Sequence, residues 1–524
     1  MSASLPVEQG AVPTDLRALA ASDGTPLWAK VIDQTTCIGC HACTTACKSE
    51  NAVPLSVTRT YVKAVEVGVF PQARRAFQVT RCNQCEDAPC VAACPTAAMY
   101  RRPDGIVDFE KSVCIGCKAC MAACPYDAIF INPEDHSAEK CNFCSHRLDR
   151  GLEPACVVVC PVGAILVGDL RDPASRVAQI VHREAVAVRR PEKETRPKLF
   201  YKGAHQATLD PLAASRPEGG MFMWSEQGDV PHGIASGAPG SWNSSAAALL
   251  AYDVPHRAPW DWRVGLYTWT KSVAAGAYLA ALLLALAGLS SWTSSLWLWA
   301  APVLSAVFLA ATGLVLIWDL EHPLRFPLLF LRPQWKSWLV RGAVAITGYA
   351  AVLGATVLAS LAGLEGPQRW LALAGAPLAV ATAVYTGYLF AQAKARDLWQ
   401  SPLLPPHLLV QAFLAGSAAL LPLALWLDEE AADPLAWTLG IAALVHLLVV
   451  AGETTLTHPT AHARLAVHEL VRGRYAAPFW AGVVLVAVAL AAPWIGVVAA
   501  PFALVGLFLY EHAYVQAGQA VPLA

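Results

Sequence analysis

The chain has 524 residues, a formal net charge of −1 and 56% hydrophobic residues. So balanced a charge offers no basic surface for nucleic acid, and so apolar an average excludes a chain that is soluble throughout. The two informative features lie apart, because all 16 cysteines precede residue 161 and the long apolar runs follow residue 262.

Residues 1–29 are taken as an N-terminal extension and residues 30–205 as the cysteine-bearing domain. The cysteines fall into runs: Cys37, Cys40, Cys43 and Cys47; Cys82, Cys85, Cys90 and Cys94; Cys114, Cys117, Cys120 and Cys124; and Cys141, Cys144, Cys156 and Cys160. The first and third read C-x2-C-x2-C-x3-C, a spacing in which three thiolates curl around one cubane and the fourth points toward a second. Four such runs predict four [4Fe–4S] clusters in an α+β ferredoxin-like double-dicluster domain. Proline follows the last cysteine in Cys94-Pro95, Cys124-Pro125 and Cys160-Pro161 and stops the helical turn there. Cys47-Lys48 breaks that pattern, so the first run must leave its helix by another route. Structural zinc would more often pair two C-x2-C knuckles across a long spacer. Disulfides between cysteines three apart have poor geometry, and no N-terminal signal marks an oxidising destination. Arg81, Lys118 and Lys140 adjoin ligands, where they either raise cluster potentials or serve a solvated surface.

Residues 206–262 are rich in proline, glycine and serine, as in Ser236-Gly237-Ala238-Pro239-Gly240-Ser241, and are expected to form a linker. Just before it, Lys198-Leu199-Phe200-Tyr201 is apolar enough to pack on the cluster domain or the membrane.

Residues 263–524 are expected to be an all-α eight-helix transmembrane bundle. Val264–Leu289, Ser295–Trp318, Trp338–Leu364, Trp370–Ala393, His407–Leu427 and Leu435–Leu456 each meet the roughly 20 residues that a span requires. Phe479–Tyr514 supplies two more, divided near Pro493. With eight spans, Arg257, Arg263, Arg325, Arg332, Lys336, Lys394, Arg396, Arg464, Arg472 and Arg474 fall on the N-terminal face, and Arg369 alone falls opposite. The opposite face carries Glu365, Asp428, Glu429, Glu430 and Asp433. Positive charge stays inside, so the cluster domain should face the cytoplasm from the inner membrane of a prokaryote. No arginine pair precedes an apolar N-terminal stretch, which argues against export of a folded cluster domain.

Ionisable groups within spans are functional candidates, because burying them in lipid is costly. Lys271 with Tyr267 lies near the start of the first span and Asp319 with His322 closes the second. His446 and Glu453 are seven residues apart on one face of the sixth. Quinone chemistry needs an apolar slot, hydrogen-bond partners for two carbonyl oxygens and a proton route, which these residues would supply. Asp319 and Arg325 can equally be an interfacial ion pair, and Tyr385 and Tyr388 an aromatic belt. No haem is expected, because His446 lacks an evident partner at membrane depth and His407 sits at a helix edge.

The cluster region, with its order of spacings ending in Cys141-x2-Cys144-x11-Cys156-x3-Cys160, resembles the four-cluster iron–sulfur subunits of the molybdopterin oxidoreductases. That group contains dimethyl sulfoxide reductase, polysulfide reductase and formate dehydrogenase. The resemblance implies that runs exchange their last cysteines. Cluster one would be Cys37, Cys40, Cys43 and Cys160, and cluster two Cys47, Cys141, Cys144 and Cys156. Cluster three would be Cys82, Cys85, Cys90 and Cys124, and cluster four Cys94, Cys114, Cys117 and Cys120. Every ligand position is a cysteine, so no three-iron cluster is implied.

The later part resembles the polysulfide-reductase-type quinone-binding anchor in three passages: Asp319-Leu320-Glu321-His322-Pro323-Leu324-Arg325-Phe326, Arg332-Pro333-Gln334-Trp335-Lys336-Ser337-Trp338, and Tyr385-Thr386-Gly387-Tyr388. The family usually carries arginine or a similar residue where His322 stands. A fusion of the two parts implies an electron-transfer and membrane-anchor subunit of a quinone-linked molybdenum or tungsten oxidoreductase. Its quinone would be menaquinone or ubiquinone, with molybdopterin and substrate catalysis on a large partner chain. No phosphate-binding glycine loop or flavin fingerprint places that catalysis here. A proton-translocating quinone module and a self-sufficient ferredoxin:quinone oxidoreductase are the alternatives.

Overall fold

The computed structural model describes residues 24–68, 71–215 and 248–524. The chain divides into one compact unit of Met1–Arg257 with Pro522–Ala524 and a second of Ala258–Val521.

In the first unit the strands are β1 (Trp28–Asp33), β2 (Thr60–Val67), β3 (Arg74–Arg81), β4 (Met99–Arg101), β5 (Val107–Phe109), β6 (Ile129–Ile131), β7 (Ala138–Lys140), β8 (Ile165–Asp169), β9 (Val186–Ala187), β10 (Leu199–Lys202) and β11 (Ala248–Tyr252). The helices are α1 (Ala42–Glu50), α2 (Pro89–Ala93), α3 (Ala119–Ala123), α4 (Ser145–Leu148), α5 (Ala155–Val158), α6 (Arg176–Arg183) and α7 (Gln206–Leu209). One sheet has the order β8-β1-β10-β9, with β1 parallel to β10 and antiparallel to β8. Val177, Ile180 and Val181 recur on one face of α6 and pack on Ala29, Val31 and Phe200 of that sheet. Trp28 and Ala29, assigned above to the extension, thus begin a core strand.

The cysteine runs sit where short helices stop. Cys94 and Cys124 cap α2 and α3 in extended conformation (φ −70°, ψ 118° and φ −75°, ψ 113°), because the following proline disfavours the helical region for the residue before it. The β4–β5 and β6–β7 ribbons follow these turns. In the first run α1 continues past Cys47 to Glu50. There the Lys48 Nζ gathers the carbonyls of Pro54 and Val57 at 2.7 and 2.5 Å, which draws the chain back without a proline.

The expected linker differs from the structure at both ends. Ala248–Tyr252 forms β11, antiparallel to β2 in the order β11-β2-β3. Ala248 and Leu250 bury themselves against Val65 and Val67, together with Ala207 of α7 and Ala214. Alternating apolar residues gain more from that sheet edge than from solvent. The passage Ser236–Ser241 lies outside the described residues.

The second unit contains α8 (Trp262–Leu286), α9 (Ala301–Trp318, preceded by a π turn), α10 (Leu328–Leu331), α11 (Trp338–Leu361), α12 (Glu365–Gln392), α13 (Leu404–Leu427), α14 (Ala432–Thr455), α15 (Ala461–Val471), α16 (Ala476–Val488), α17 (Ala492–Ile495) and α18 (Ala499–Gln519). Among the described residues, seven helical segments are long and apolar enough to cross a membrane, the seventh being the 44-residue stretch Ala476–Gln519. That stretch turns at Gly496 (φ 57°, ψ −133°), close to the expected division at Pro493. Phe479 of α16 meets Tyr510 of α18 with ring centroids 6.2 Å apart.

Helix α8 is the axis of this unit, with Val273, Ala274, Ala275, Ala277 and Tyr278 fully buried. Its contact with α13 depends on two glycines. A Cβ on Gly276 would lie 1.7 Å from the Ala412 carbonyl oxygen, and one on Gly416 would lie 1.9 Å from the Gly276 carbonyl carbon. Both obstacles are backbone, so no side-chain rotation relieves them. Gly276→Val is therefore expected to cost more than ~3 kcal/mol, the upper range for overpacking. Thermal unfolding in detergent checks this; an unchanged midpoint would contradict the close α8–α13 contact.

Candidate functional site

The four thiols around each of three cavities come from two runs. Cys37, Cys40 and Cys43 share one with Cys160, in about 320 Å³ of atom-free space. Cys82, Cys85 and Cys90 share another with Cys124, in about 300 Å³. Cys114, Cys117 and Cys120 share the third with Cys94, in about 370 Å³. Cys47 lies in electrostatic reach of Cys141, Cys144 and Cys156, and Asn51 Nδ2 bridges Cys47 Sγ and Cys144 Sγ at 3.7 Å each. Apolar packing repeats the pairing. Cysteines of the second and third runs share a core with Met99, Val107 and Ile129, and those of the first and fourth runs share one with Ile32, Val62 and Ile165.

The backbone between the cysteines explains how the loops curl. Gly39 and His41 in the first run, and Gly116 and Lys118 in the third, all have φ between 60° and 70°. Phe143 (φ 68°) and Cys144 (φ 54°) in the fourth run and Gln84 (φ 49°) in the second are left-handed too. Left-handed residues alternating with right-handed ones turn successive N–H groups toward one concavity, an arrangement that binds anions. Backbone N–H groups accordingly donate to cysteine sulfurs, from Ala164 to Cys160 at 3.2 Å and from Met99 to Cys94 at 3.4 Å.

This donor set fits an iron–sulfur cubane. All sixteen cysteines are free thiols, and among the described residues no group of His, Cys, Asp and Glu could hold a single metal ion. Burial pushes the Cys43 and Cys124 thiols up to about 11, so a bound metal would be what holds them ionised at neutral pH. Cys156 moves the other way: burial raises it, but the charges of Arg81 and then Lys30 outweigh burial and bring it down to about 7.

A polar scaffold ties the halves of this unit. The Arg59 guanidinium is buried against Glu139, with Nη2–Oε2 at 2.9 Å, and its other arm holds Asn51 Oδ1 at 2.9 Å. Gln84 donates to the Cys141 carbonyl at 2.7 Å and accepts from Val107 N–H at 2.7 Å. Lys140 is fully buried and gives its Nζ to the Val107 and Cys141 carbonyls.

Beside Cys124, His256 lies between two carboxylates, with Nδ1 at 2.5 Å from Asp127 and Nε2 at 3.1 Å from Asp253. Burial lowers its basicity, but Asp253 and Asp127 prevail and raise it from 6.5 to about 9. A folded-state value above the unfolded one gives stability that is complete below pH 6.5 and lost as pH rises through about 9. Thermal unfolding is therefore expected to weaken by ~3 kcal/mol over that window, and His256→Gln to flatten the dependence. An identical pH profile in the variant would contradict this.

The second unit buries two polar clusters among its helices. In one, Lys271 Nζ donates to the Ala383 carbonyl and to Thr386 Oγ1, each at 2.8 Å, and stands 5.1 Å from the Tyr385 ring centroid. Tyr267 reaches Thr386. Glu511 accepts from Thr268 at 3.0 Å and Ser272 at 3.5 Å, both on the α8 face that carries Lys271. In the other, His407 Nε2 meets His446 Nδ1 at 2.9 Å and Gln411 Nε2 at 3.4 Å. His407 Nδ1 lies 3.9 Å from Glu453 Oε2, which accepts from Tyr510 O–H at 3.3 Å. Among the described residues, His446 Nε2, His407 Nδ1, Gln411 Oε1 and Glu453 Oε1 are buried and lack a hydrogen bond.

The sequence-predicted residues thus separate. Tyr267, Lys271 and Tyr385 converge, as do His446 and Glu453, through His407. Far from being left at an edge, His407 is 1% exposed although it lies in the first turn of α13. Asp319 lies 3.5 Å from Arg263 Nε and within electrostatic range of Tyr267. His322 and Arg325 are half-buried in the turn after α9. Tyr388 is 40% exposed and stacks on Trp338 at 4.3 Å, away from Tyr385. Sequence reasoning missed Glu511, Tyr510 and Gln411. A carboxylate within the last apolar run was the available signal for Glu511.

Comparison with known proteins matches residues 73–170 to the 4Fe-4S dicluster domain and residues 253–522 to the polysulphide reductase, NrfD family. The chain is 44% identical over 200 residues to a tetrathionate reductase subunit of Salmonella typhimurium, covering 36% of this chain and 78% of that protein. It is 44% identical over 171 residues to a polysulfide reductase chain of Wolinella succinogenes, covering 32% of this chain and 90% of that protein. Identity to the arsenate respiratory reductase iron–sulfur subunit of Shewanella sp. is 36% over 219 residues, covering 33% of this chain and 94% of that subunit.

Proposed function

The chain belongs to the polysulphide reductase NrfD family, a multi-pass membrane protein with an iron–sulfur domain fused ahead of the helices, and we propose that it is the electron-transfer and anchor subunit of a quinone-linked molybdenum or tungsten oxidoreductase. Four [4Fe–4S] clusters would be held by the exchanged sets Cys37/Cys40/Cys43/Cys160, Cys47/Cys141/Cys144/Cys156, Cys82/Cys85/Cys90/Cys124 and Cys94/Cys114/Cys117/Cys120. The bound clusters supply one-electron transfer. The membrane part would cross the lipid eight times, with Ala476–Gln519 counted as a returning pair. The distribution of basic loops supports a cytoplasmic cluster domain.

The observation that carries this reading is the sharing of each cavity by three cysteines of one run and one of another. Cys160→Ser is accordingly expected to alter the same paramagnetic signal as Cys37→Ser and to leave the signal altered by Cys85→Ser unchanged. Coincidence of the Cys160 and Cys141 signals instead would refute the exchange. The purified complex is expected to contain a large pterin-bearing chain, and its absence would remove the proposed partner.

Reducing or oxidising a quinone moves two electrons and two protons, so the chain must bring protons into an apolar interior. Lys271, Tyr267 and Tyr385 would orient the ring through its oxygens, near Asp319 at the end of α9. The unpartnered atoms of His407, His446, Gln411 and Glu453 favour a second reading, in which quinone turnover drives proton movement along that cluster. Glu453→Gln is expected to lower quinone-linked turnover at least tenfold with the iron content unchanged. Equal turnover in the variant would exclude Glu453 from either role.

A further inference from the structure

Arg81 ends β3 with its guanidinium 2% exposed. A buried guanidinium requires an anion, yet its side chain makes one hydrogen bond among the described residues, from Nη1 to Cys156 Sγ at 2.9 Å. Nε and Nη2 are buried without partners. The charges in its reach are the sulfurs of Cys156, Cys141 and Cys43, which belong to two different quartets. Lys30, 1% exposed, places its Nζ 3.8 Å from the same Cys156 Sγ and 4.0 Å from the Phe143 ring centroid. Two buried cations therefore converge on one ligand sulfur.

The other buried cations near thiols are differently engaged. Lys198 pairs with Glu86 at 3.1 Å, and Lys140 gives its Nζ to two carbonyls. Both charges reach sulfurs of the Cys82 quartet, but among the described residues neither Nζ donates to a sulfur as Arg81 does.

Adding an electron to an iron–sulfur cluster adds negative charge, and nearby cations and N–H donors to sulfur favour that state. We propose that Arg81, seconded by Lys30, makes the cluster of Cys47, Cys141, Cys144 and Cys156 the highest in potential of the four. Arg81 is then also the counter-ion shared with the neighbouring quartet of Cys37, Cys40, Cys43 and Cys160. The step is a one-electron transfer: one cluster in the row is oxidised as this one is reduced, and no bond or proton moves. An electron held there separates the single-electron steps of the row from the two-electron chemistry of a quinone. The inference rests on the four-cluster reading above.

The test is a redox titration followed by electron paramagnetic resonance on the intact complex. Cys156→Ser first identifies the wave belonging to this cluster, by changing or abolishing it. In Arg81→Gln that wave is expected to fall by at least tenfold in reduction equilibrium constant, about 59 mV for one electron. Arg81→Lys should restore most of the loss, and Lys30→Met should produce a smaller fall. Iron equal in number to the cysteines, with the wave unmoved in Arg81→Gln and in Lys30→Met, would overturn the proposal. A wave at any place but the highest of the four in the unaltered protein would do the same. Should Arg81→Gln fail to assemble, the Lys30→Met titration decides alone. Iron well short of the cysteine count in the unaltered chain would instead refute the four-cluster reading and leave the Arg81–Cys156 contact standing.

Discussion

The first unit is organised by where the last cysteine of each run points. Proline after Cys94 and Cys124 ends the local helix with the cysteine in extended backbone, and a third proline follows Cys160. The thiol then faces a cavity built by another run. Distant pieces of chain become neighbours for this reason, and the apolar cores divide along the same lines, second run with third and first with fourth. The β sheets, Arg59–Glu139 and Gln84 are a frame around these thiols. The cysteines themselves lie within two of its apolar clusters, while α6 on the first sheet and β11 on β2 form others without them.

The second unit solves the opposite problem. Its helices are apolar on most faces, so lipid can cover α9 and α11, while the middle of α8 is enclosed by its neighbours. Gly276 and Gly416 let α8 and α13 approach at backbone distance, the device that membrane helices use when no hydrophobic force separates protein from lipid. Polar groups are then held inside: Lys271, Thr268 and Ser272 on α8 face α12 and α18, and His407 and Gln411 on α13 face α14. Such groups are costly in lipid, and they are gathered in two clusters of an otherwise apolar bundle.

Much of this was legible in the residues. Cysteine spacing and Cys-Pro pairs are local signals, and apolar runs of membrane length stand out by composition alone. Other features depend on contacts far apart in sequence. Arg81 adjoins a ligand, but only the placement of β3 aims it at Cys156, 75 residues away, and excludes water from it. The β11 strand was concealed by the proline- and glycine-rich residues around it, since its partner β2 lies far earlier in the chain. Tyr385 and Tyr388 look equivalent in sequence, yet their separation along α12 is enough to send one toward Lys271 and the other outward onto Trp338. His407, Tyr510 and Glu511 are isolated polar residues in apolar runs, and only the packing of α8, α13, α14 and α18 gives them partners.

The most direct measurement of the central claim, that a row of clusters delivers electrons to a quinone within one polypeptide, is anaerobic reduction of the purified chain followed by addition of a short-chain quinone. The account predicts that the cluster signals of the reduced protein disappear on mixing, with two electrons recovered per quinol formed. Clusters that stay reduced in excess quinone would contradict it.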